Sequence, residues 1–302
     1  MPPMNTPLAK LTTRLNEYEK MMRLDMPTGS LLLLWPCFWA LWLSSDGQPP
    51  WMLVWIFALG SVLMHAAGSI IDDCADRDFD RHVERTRKRA LADRRVSPRE
   101  ALCLAAALLL VAFSLLLPVL SKLLLLLVGI AAVLTVIYPF TKRFLAIPQA
   151  WLGISYGFGI PMAYAIQQGN VPWQGWLLLI ANMFWTIAYD TEYAMVDRPD
   201  DLKIGIKTSA ITFGRFDVLA VMCCYALSFV LMTWVGLIAG LSWIFLASIL
   251  AAFALAGYHY SLIRTRQGQG CFAAFLHNKW VGCVIFVGIA LDYRILQGVK
   301  LW

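Results

Sequence analysis

The fold class is decided at residues 51–89, which read WMLVWIFALGSVLMHAAGSIIDDCADRDFDRHVERTRKR. The apolar run at 51–72 is long enough to cross a hydrocarbon core of about 30 Å, which takes roughly 20 helical residues. It runs directly into a cluster of five aspartates with arginines among and after them. The aspartates are Asp72, Asp73, Asp76, Asp78 and Asp80. An ionisable cluster at the end of a membrane span is a candidate functional site.

The composition also indicates a polytopic membrane protein. Of the 302 residues, 60% are hydrophobic and only 15% are charged, and the mean hydropathy is +0.65. The apolar runs recur along nearly the whole chain, so a cleaved signal peptide does not explain them. The net charge of +6 comes from basic residues in the short links between these runs, which predicts contact with a lipid bilayer or phosphate and no nucleic-acid partner.

Nine apolar segments are suitable for transmembrane helices, which predicts an all-α fold. We find no soluble domain or long linker, so residues 1–302 are expected to form a single transmembrane domain with a cytoplasmic or interfacial N-terminal segment at 1–25. The predicted spans are 29–45, 51–72, 101–118, 121–139, 147–167, 171–190, 216–238, 240–262 and 280–298.

Lysine and arginine alternate between the links in a way that predicts the orientation of the chain. They are concentrated in the N-terminal segment and in the links after the second, fourth, sixth and eighth spans. Because positively charged loops are retained in the cytoplasm, we expect a cytoplasmic N-terminus and, after nine crossings, a C-terminus on the other side.

A second acidic cluster is predicted on the same cytoplasmic side. Residues 189–207 read YDTEYAMVDRPDDLKIGIK, and Asp197 and Asp201 are one helical turn apart, with Asp190 two turns earlier. The whole cluster comprises Asp190, Glu192, Asp197, Asp200 and Asp201. The two clusters could therefore face each other across the mouth of one cavity.

The carboxylates allow two interpretations. In the first they form an exposed ion-pair network, since residues 72–100 hold eight acids and nine bases. In the second they bind magnesium together with a diphosphate, because Mg²⁺ is usually held by a few carboxylates and substrate phosphates. Lysine and arginine would then bind the remaining phosphate oxygens. The presence of two clusters favours the second interpretation, and an apolar tail on the diphosphate would explain the membrane location.

Both clusters resemble motifs of one family. DDCADRDFDRHVERT (72–86) resembles the first aspartate-rich motif, N-D-x-x-D-x-x-x-D, of the UbiA superfamily of intramembrane aromatic prenyltransferases, and residues 189–214 resemble the second. RLDMPTGSLLLLWP (23–36), YPFTKR (138–143), GFGIPMAYA (157–165) and FLHNKWVG (275–282) look like segments of its 4-hydroxybenzoate polyprenyltransferase branch.

The resemblance implies a bundle of nine helices around a central cavity that opens sideways to lipid. It also implies Mg²⁺-dependent transfer from a polyprenyl diphosphate to 4-hydroxybenzoate or a similar aromatic acid, for ubiquinone synthesis at the bacterial inner membrane. Carried over by position, the catalytic metal ligands would be Asp76, Asp80, Asp197 and Asp201, assisted by Asp73 and Asp190.

Further polar residues are candidates for substrate binding. Lys142 and Arg143 could contact substrate or only mark topology, and Tyr193 could bond phosphate or simply pack. Similarly, Arg23 could bind a carboxylate or mark the interface. The predicted substrate-binding residues are Arg23, Asp72, Lys142, Arg143, Tyr193, Lys203 and Lys207.

The chain departs from the family pattern in its first motif. Asp72 takes the place of the motif's Asn, and His65 stands seven residues earlier, where Arg is expected. We therefore expect a His65–Asp72 polar pair that alters how the aromatic acid is held. The alternatives are a prenyltransferase with another aromatic or quinone-precursor acceptor, an ion-coupled transporter, and an inactive membrane scaffold.

Overall fold

The computed structural model describes residues 7–297, and within this range the chain forms helices and no strand. Twelve α-helices follow one another, with short 3₁₀ turns after α4 and α9 and a last π-helical turn at Tyr293–Gln297. Their bounds are α1 Pro7–Met21, α2 Thr28–Ser44, α3 Trp51–Asp80, α4 Pro98–Leu116, α5 Lys122–Thr141, α6 Pro148–Gly157, α7 Gly159–Gln168, α8 Trp173–Ile204, α9 Ser209–Phe213, α10 Asp217–Ile238, α11 Trp243–Ile263 and α12 Gly268–Asp292.

Local signals in the sequence set several helix ends. The side chains of Ser97 and Ser121 accept bonds from backbone N–H groups in the first turns of α4 and α5, as N-caps do. Gly169 and Gly205 end α7 and α8 with φ of 72° and 75°, a left-handed conformation that glycine adopts without steric cost. These caps separate consecutive helices and allow antiparallel packing.

The chain is a multi-pass membrane protein. Six helices, α3, α4, α5, α10, α11 and α12, are long and apolar enough to cross a membrane. The shorter α2, the α6–α7 pair and the charged α8 complete the predicted set of nine, so this count is approximate. Trp51, Trp173 and Trp243 begin α3, α8 and α11 and are 76%, 53% and 69% exposed, as expected for anchors at a membrane interface.

Two predicted spans differ from the structure. The segment predicted at 147–167 is two helices interrupted at Phe158, where Pro161, lacking an N–H group, cannot donate a bond back to Gly157. The helix that contains the span predicted at 280–298 already begins at Gly268. The prediction missed its first three turns because they include polar residues, which lower the count of apolar residues. Residues 1–6 of the predicted N-terminal segment, residue 298 of the last predicted span and the remaining C-terminal residues lie outside the described range.

Two long helices carry the acidic clusters. α3 has 30 residues and α8 has 32, so each is about 45 Å long or slightly more at 1.5 Å per residue. Both exceed the roughly 30 Å of hydrocarbon, and their acidic C-terminal turns can extend past it. The second predicted span therefore continues as helix through all five aspartates.

Candidate active site

A cavity of about 610 Å³ lies between α2–α8, and both acidic clusters line it. Its wall is apolar over much of its area, with side chains such as Phe57, Phe113 and Met162. At its polar end, α3 and α8 each contribute three carboxylates, which are Asp72, Asp76 and Asp80 from α3 and Asp190, Asp197 and Asp201 from α8. The predicted juxtaposition of the two clusters is therefore present in the fold.

Lys142, directly after α5, pairs with two of the α3 carboxylates that line the cavity. Its Nζ lies 3.0 Å from Asp72 Oδ1 and 2.7 Å from Asp76 Oδ2. Burial disfavours the charge on Lys142, but Asp72, Tyr138 and Asp76 outweigh burial and raise its pKa well above the ordinary value. Lys142 is thus a charged residue of the cavity rather than only a topology signal.

Arg89 and Arg23 neutralise Asp73 and Asp80 of α3. Arg89 Nη1 lies 3.0 Å from Asp73 Oδ1 and 2.9 Å from Asp80 Oδ2, and Arg23 Nη2 lies 2.7 Å from the same Asp73 oxygen. Burial of the Arg89 guanidinium is outweighed by Asp73 and Asp80, so its pKa is raised. Asp73 is almost fully buried and lies behind the cavity surface; it holds the two arginines that line it.

Arg23 also has an unusual backbone. Its φ is 56°, a left-handed conformation that is uncommon for residues other than glycine and is often held at functional sites. The ion pair with Asp73 fixes the turn between α1 and α2 against α3.

Arg85 connects the α3–α4 link, residues 81–97, to α8. Its Nε and Nη2 donate to the two oxygens of Asp197 at 2.9 and 2.5 Å, and its guanidinium lies 4.6 Å from the centre of the Tyr193 ring. Burial disfavours its charge, but Tyr193 and Asp197 raise the pKa of Arg85. The link therefore closes one side of the cavity mouth.

The carboxylates suit a divalent cation by their chemistry. Within residues 7–297, Asp190 and Asp201 form no ion pair, although both line the cavity. No group of three His, Cys, Asp or Glu side chains in this range is already gathered around one point. A magnesium ion is commonly held by only one or two carboxylates together with waters and substrate phosphates, so this donor set still fits.

Three predicted substrate-binding residues are not among the cavity-lining residues of the described chain. Lys203 is 75% exposed and pairs with Asp200 at 2.9 Å. Lys207 Nζ donates to the backbone carbonyl of Phe144 at 3.2 Å, and the Arg143 guanidinium lies 5.1 Å from the Phe140 ring centre. Their side chains have partners outside the set of cavity carboxylates, so substrate binding by these three residues stays a prediction.

His65 lines the cavity but has a different partner from the one expected. Its Nδ1 lies 3.2 Å from the hydroxyl of Tyr156 on α6, whereas the Asp72 carboxylate bonds to Lys142. A Cβ atom at position 29 would overlap the His65 ring, so the glycine in α2 provides the space for it. His65 and Tyr156 form a polar pair beside the acidic end of the cavity.

Among the charged cavity-lining residues of the described chain, Arg85 and Arg89 were the two that the sequence pattern did not single out. Both belong to the nine bases of residues 72–100, which served as a topology signal and as partners in an ion-pair network. Their ion pairs do form, so part of the first interpretation of the acids is also correct. The segment KRALADR (88–94) could have indicated Arg89. It stands where the UbiA superfamily has an NRPLASG-like sequence, and Arg89 matches the arginine of that sequence.

Glu192 does not belong to the second acidic cluster, contrary to the sequence-based expectation. It is fully buried on the side of α8 that faces α10 and α12. Glu192 is only two residues from Asp190, so the sequence suggested that the two carboxylates lie together. In the structure they point to opposite sides of α8.

The sequence profile described as the UbiA prenyltransferase family matches residues 33–282. A protein of Azoarcus sp. (strain BH72), named 4-hydroxybenzoate octaprenyltransferase, is 60% identical over 94% of this chain and 99% of its own length. Another of that name from Dechloromonas aromatica (strain RCB) is 56% identical over 99% of this chain and 100% of its own.

Solved structures share the fold. A UbiA homolog from Aeropyrum pernix K1 superposes with a TM-score of 0.75 at 24% identity, covering 87% of this chain and 97% of that one. A UbiA homolog from Archaeoglobus fulgidus, bound to GPP and Mg²⁺, gives a TM-score of 0.66 at 17% identity, covering 92% and 100%.

Proposed function

Since this chain belongs to the UbiA prenyltransferase family, we propose that it transfers a polyprenyl group to 4-hydroxybenzoate for ubiquinone synthesis. The donor is a polyprenyl diphosphate, and the new bond forms at the ring carbon ortho to the hydroxyl. Relatives of 60% and 56% identity that carry the name 4-hydroxybenzoate octaprenyltransferase support this proposal.

One structural observation carries the proposal. Carboxylates from α3 and α8, more than one hundred residues apart in sequence, line the same end of a cavity whose remaining wall is largely apolar. A polyprenyl diphosphate has the matching form, with a charged head and a long apolar tail. The acidic end then receives the head and the apolar wall receives the tail.

The metal site is assigned to carboxylates of both helices. Asp76 and Asp80 on one side and Asp197 and Asp201 on the other would hold Mg²⁺, with Asp190 nearby. When bound, magnesium neutralises the departing diphosphate as a Lewis acid and orients it. Asp73 contributes indirectly, because it holds Arg23 and Arg89 in place.

Basic residues of the cavity bind the diphosphate oxygens. Lys142, Arg85 and Arg89 all line the acidic end and can exchange a carboxylate partner for a phosphate oxygen, with similar charge-assisted hydrogen bonds. Loss of diphosphate leaves an allylic cation, which aromatic faces such as Tyr193 and Phe275, 4.7 Å apart between ring centres, can stabilise.

The acceptor ring is placed next to the breaking bond. His65, Tyr156 and Asp72 line that part of the cavity and can bond the polar groups of an aromatic acid. In the transfer, the bond between the allylic carbon and the diphosphate oxygen breaks, a carbon–carbon bond forms, and the ring proton leaves to solvent.

We also propose a domain organisation and an orientation in the membrane. Residues 1–302 form one transmembrane domain in the bacterial inner membrane, with the N-terminus, the α3–α4 link and the α8–α9 link in the cytoplasm. The concentration of basic residues in those segments supports this orientation.

The test is an assay of purified membranes with 4-hydroxybenzoate, Mg²⁺ and polyprenyl diphosphates of several lengths. We expect a prenylated 4-hydroxybenzoate to form only when all three components are present. Transfer to another phenol but not to 4-hydroxybenzoate would identify a different acceptor. Ion flux without any transfer would support the transporter alternative. A transporter has its ionisable residues near mid-membrane on broken helices, whereas both acidic sets here lie in the C-terminal halves of two long helices, α3 and α8.

A further inference from the structure

Glu192 lies on the face of α8 opposite to the acids of the cavity. At 3.6 residues per turn, Asp190, Asp197 and Asp201 fall within about 40° of one another and roughly 140–180° from Glu192. The Glu192 side chain is 0% exposed and does not line the cavity. One helix therefore carries two sets of acids that face in opposite directions.

Glu192 is held by hydrogen bonds from two other helices. Tyr225 of α10 donates its hydroxyl to Oε1 at 3.0 Å, and Asn278 of α12 donates Nδ2 to Oε2 at 2.9 Å. Trp185, two turns earlier on the same face of α8, donates Nε1 to Asn278 Oδ1 at 3.0 Å. Each Glu192 oxygen thus has a hydrogen-bonding side chain from another helix, and the Tyr225 hydroxyl also lies 2.9 Å from Asn278 Oδ1.

The network continues to a fourth helix. His259 Nδ1 of α11 lies 2.9 Å from the Tyr225 oxygen, and His259 Nε2 lies 3.0 Å from His277 Nδ1 of α12. Four helices, α8, α10, α11 and α12, are therefore joined behind the wall of the cavity.

Such a network has a specific physical consequence for α8. Burying an acid, a phenol and an imidazole costs free energy unless each is well bonded, and apolar side chains of similar volume often stabilise as well or better. Directional hydrogen bonds can, however, specify one helix rotation, whereas apolar contacts tolerate several. With side chains about 5–6 Å from the helix axis, a rotation of about 20° would move each α8 carboxylate by roughly 2 Å.

We infer that Glu192 is a positioning residue that fixes the rotation of α8 through Asn278 and Tyr225 and so aims Asp190, Asp197 and Asp201 into the cavity. This inference rests on the proposed function, in which those three acids belong to the metal and diphosphate site. A displacement of about 1 Å in an active site can cost on the order of 100-fold in rate, so the aim of these carboxylates matters.

The test compares Glu192→Leu with Glu192→Gln in the purified full-length protein. Mn²⁺ binding is titrated in the presence of inorganic diphosphate by electron paramagnetic resonance, and prenyl transfer is measured separately. Glu192→Leu removes both acceptor oxygens, and we expect the Kd for Mn²⁺ to rise about tenfold. Glu192→Gln retains an oxygen for Asn278 and an N–H group for Tyr225, so its Kd should stay within about twofold of wild type.

Asp292→Leu is the matched control. Asp292 is also a buried acid, and its hydrogen bonds join α12 to the start of α11: it accepts from the backbone N–H groups of Ser242 and Phe245 at 2.9 and 3.0 Å. We expect this variant to lose thermal stability without a change in Mn²⁺ affinity. An equal rise in Kd for Asp292→Leu and Glu192→Leu would show general destabilisation and overturn the inference.

A milder variant keeps the test valid if Glu192→Leu does not fold. Tyr225→Phe removes one hydroxyl and retains the ring, and it should raise the Kd for Mn²⁺ about threefold. An unchanged Kd in a folded Glu192→Leu or Tyr225→Phe protein would overturn the inference. If wild type binds Mn²⁺ but transfers nothing to 4-hydroxybenzoate, the proposed function fails, while the shifts in Kd still decide the role of Glu192.

Discussion

The two acidic faces of the cavity differ in how they are neutralised. The three α3 carboxylates that line the cavity each pair with a lysine or arginine. Of the three on α8, only Asp197 has such a partner within the described part of the chain. The α3 face is therefore part of an internal ion-pair network that also holds Lys142 and Arg89 in place. The α8 face retains two carboxylates that can accept a cation without releasing a basic partner.

Removal of divalent cations should lower prenyl transfer more than any change at one of the two acidic faces. Without a cation the carboxylates would repel the diphosphate, so we expect excess EDTA to lower transfer by more than about 1,000-fold, or ~4 kcal/mol. Activity is measured before and after addition of Mg²⁺ in excess of the chelator. Full activity in EDTA would contradict the metal assignment on both faces.

Loss of one carboxylate from either face should be nearly as severe. Asp76→Ala and Asp197→Ala each remove a proposed ligand, and we expect kcat to fall by about 100-fold or more. Both proteins should still be inserted in the membrane, as checked by detergent extraction and gel filtration. Near-normal turnover in one variant would limit the metal site to the other face.

Stability should separate the two faces. Asp80→Ala leaves the largely buried Arg89 with one partner fewer, and breaking such a pair costs about 3–5 kcal/mol. Asp201→Ala removes a carboxylate with no ion pair among residues 7–297, so its melting temperature should equal or exceed that of wild type. Thermal unfolding in detergent, without substrate, measures both. Equal losses would remove the distinction between the faces.

Two lysines near the motifs should also differ. Lys142→Ala removes the partner of Asp72 and Asp76, and we expect kcat/KM for the diphosphate to fall by about 30-fold, ~2 kcal/mol. Lys203→Ala removes an exposed pair with Asp200, which is worth at most ~1 kcal/mol, so activity should stay within about twofold. Equal losses would place the diphosphate nearer to the end of α8.

The smallest effect is expected at the first aspartate of the motif. Asp72→Asn retains an oxygen for the Lys142 ammonium and removes one negative charge. We expect KM for the aromatic acid to change by about three- to tenfold while kcat changes little. Steady-state rates at saturating prenyl donor and varied acceptor measure this. If Asp72→Asn is as inactive as Asp76→Ala, then Asp72 is a primary metal ligand.

The sequence by itself determined the membrane class, the all-helical fold and the two acidic clusters whose aspartates line the cavity. Continuous apolar runs of about 20 residues are typical of transmembrane helices, which satisfy their own backbone hydrogen bonds in lipid. The i, i+4, i+8 spacing of Asp72, Asp76 and Asp80 places them on one helical face wherever α3 packs. The two motifs were also sufficient to indicate the family. These features are local, so they can be recognised without knowing any contact between distant residues.

Only the tertiary structure decided which charges meet. The sequence favoured Lys203, beside the second motif, over Lys142 as a diphosphate ligand. In the structure α5 ends beside α3 and brings Lys142 to Asp76, while Lys203 points outward from the end of α8. Asp190 and Glu192 are two residues apart, yet helix rotation sends one into the cavity and the other into a network with α10, α11 and α12. Such outcomes depend on how whole helices pack and rotate, which no short stretch of sequence specifies.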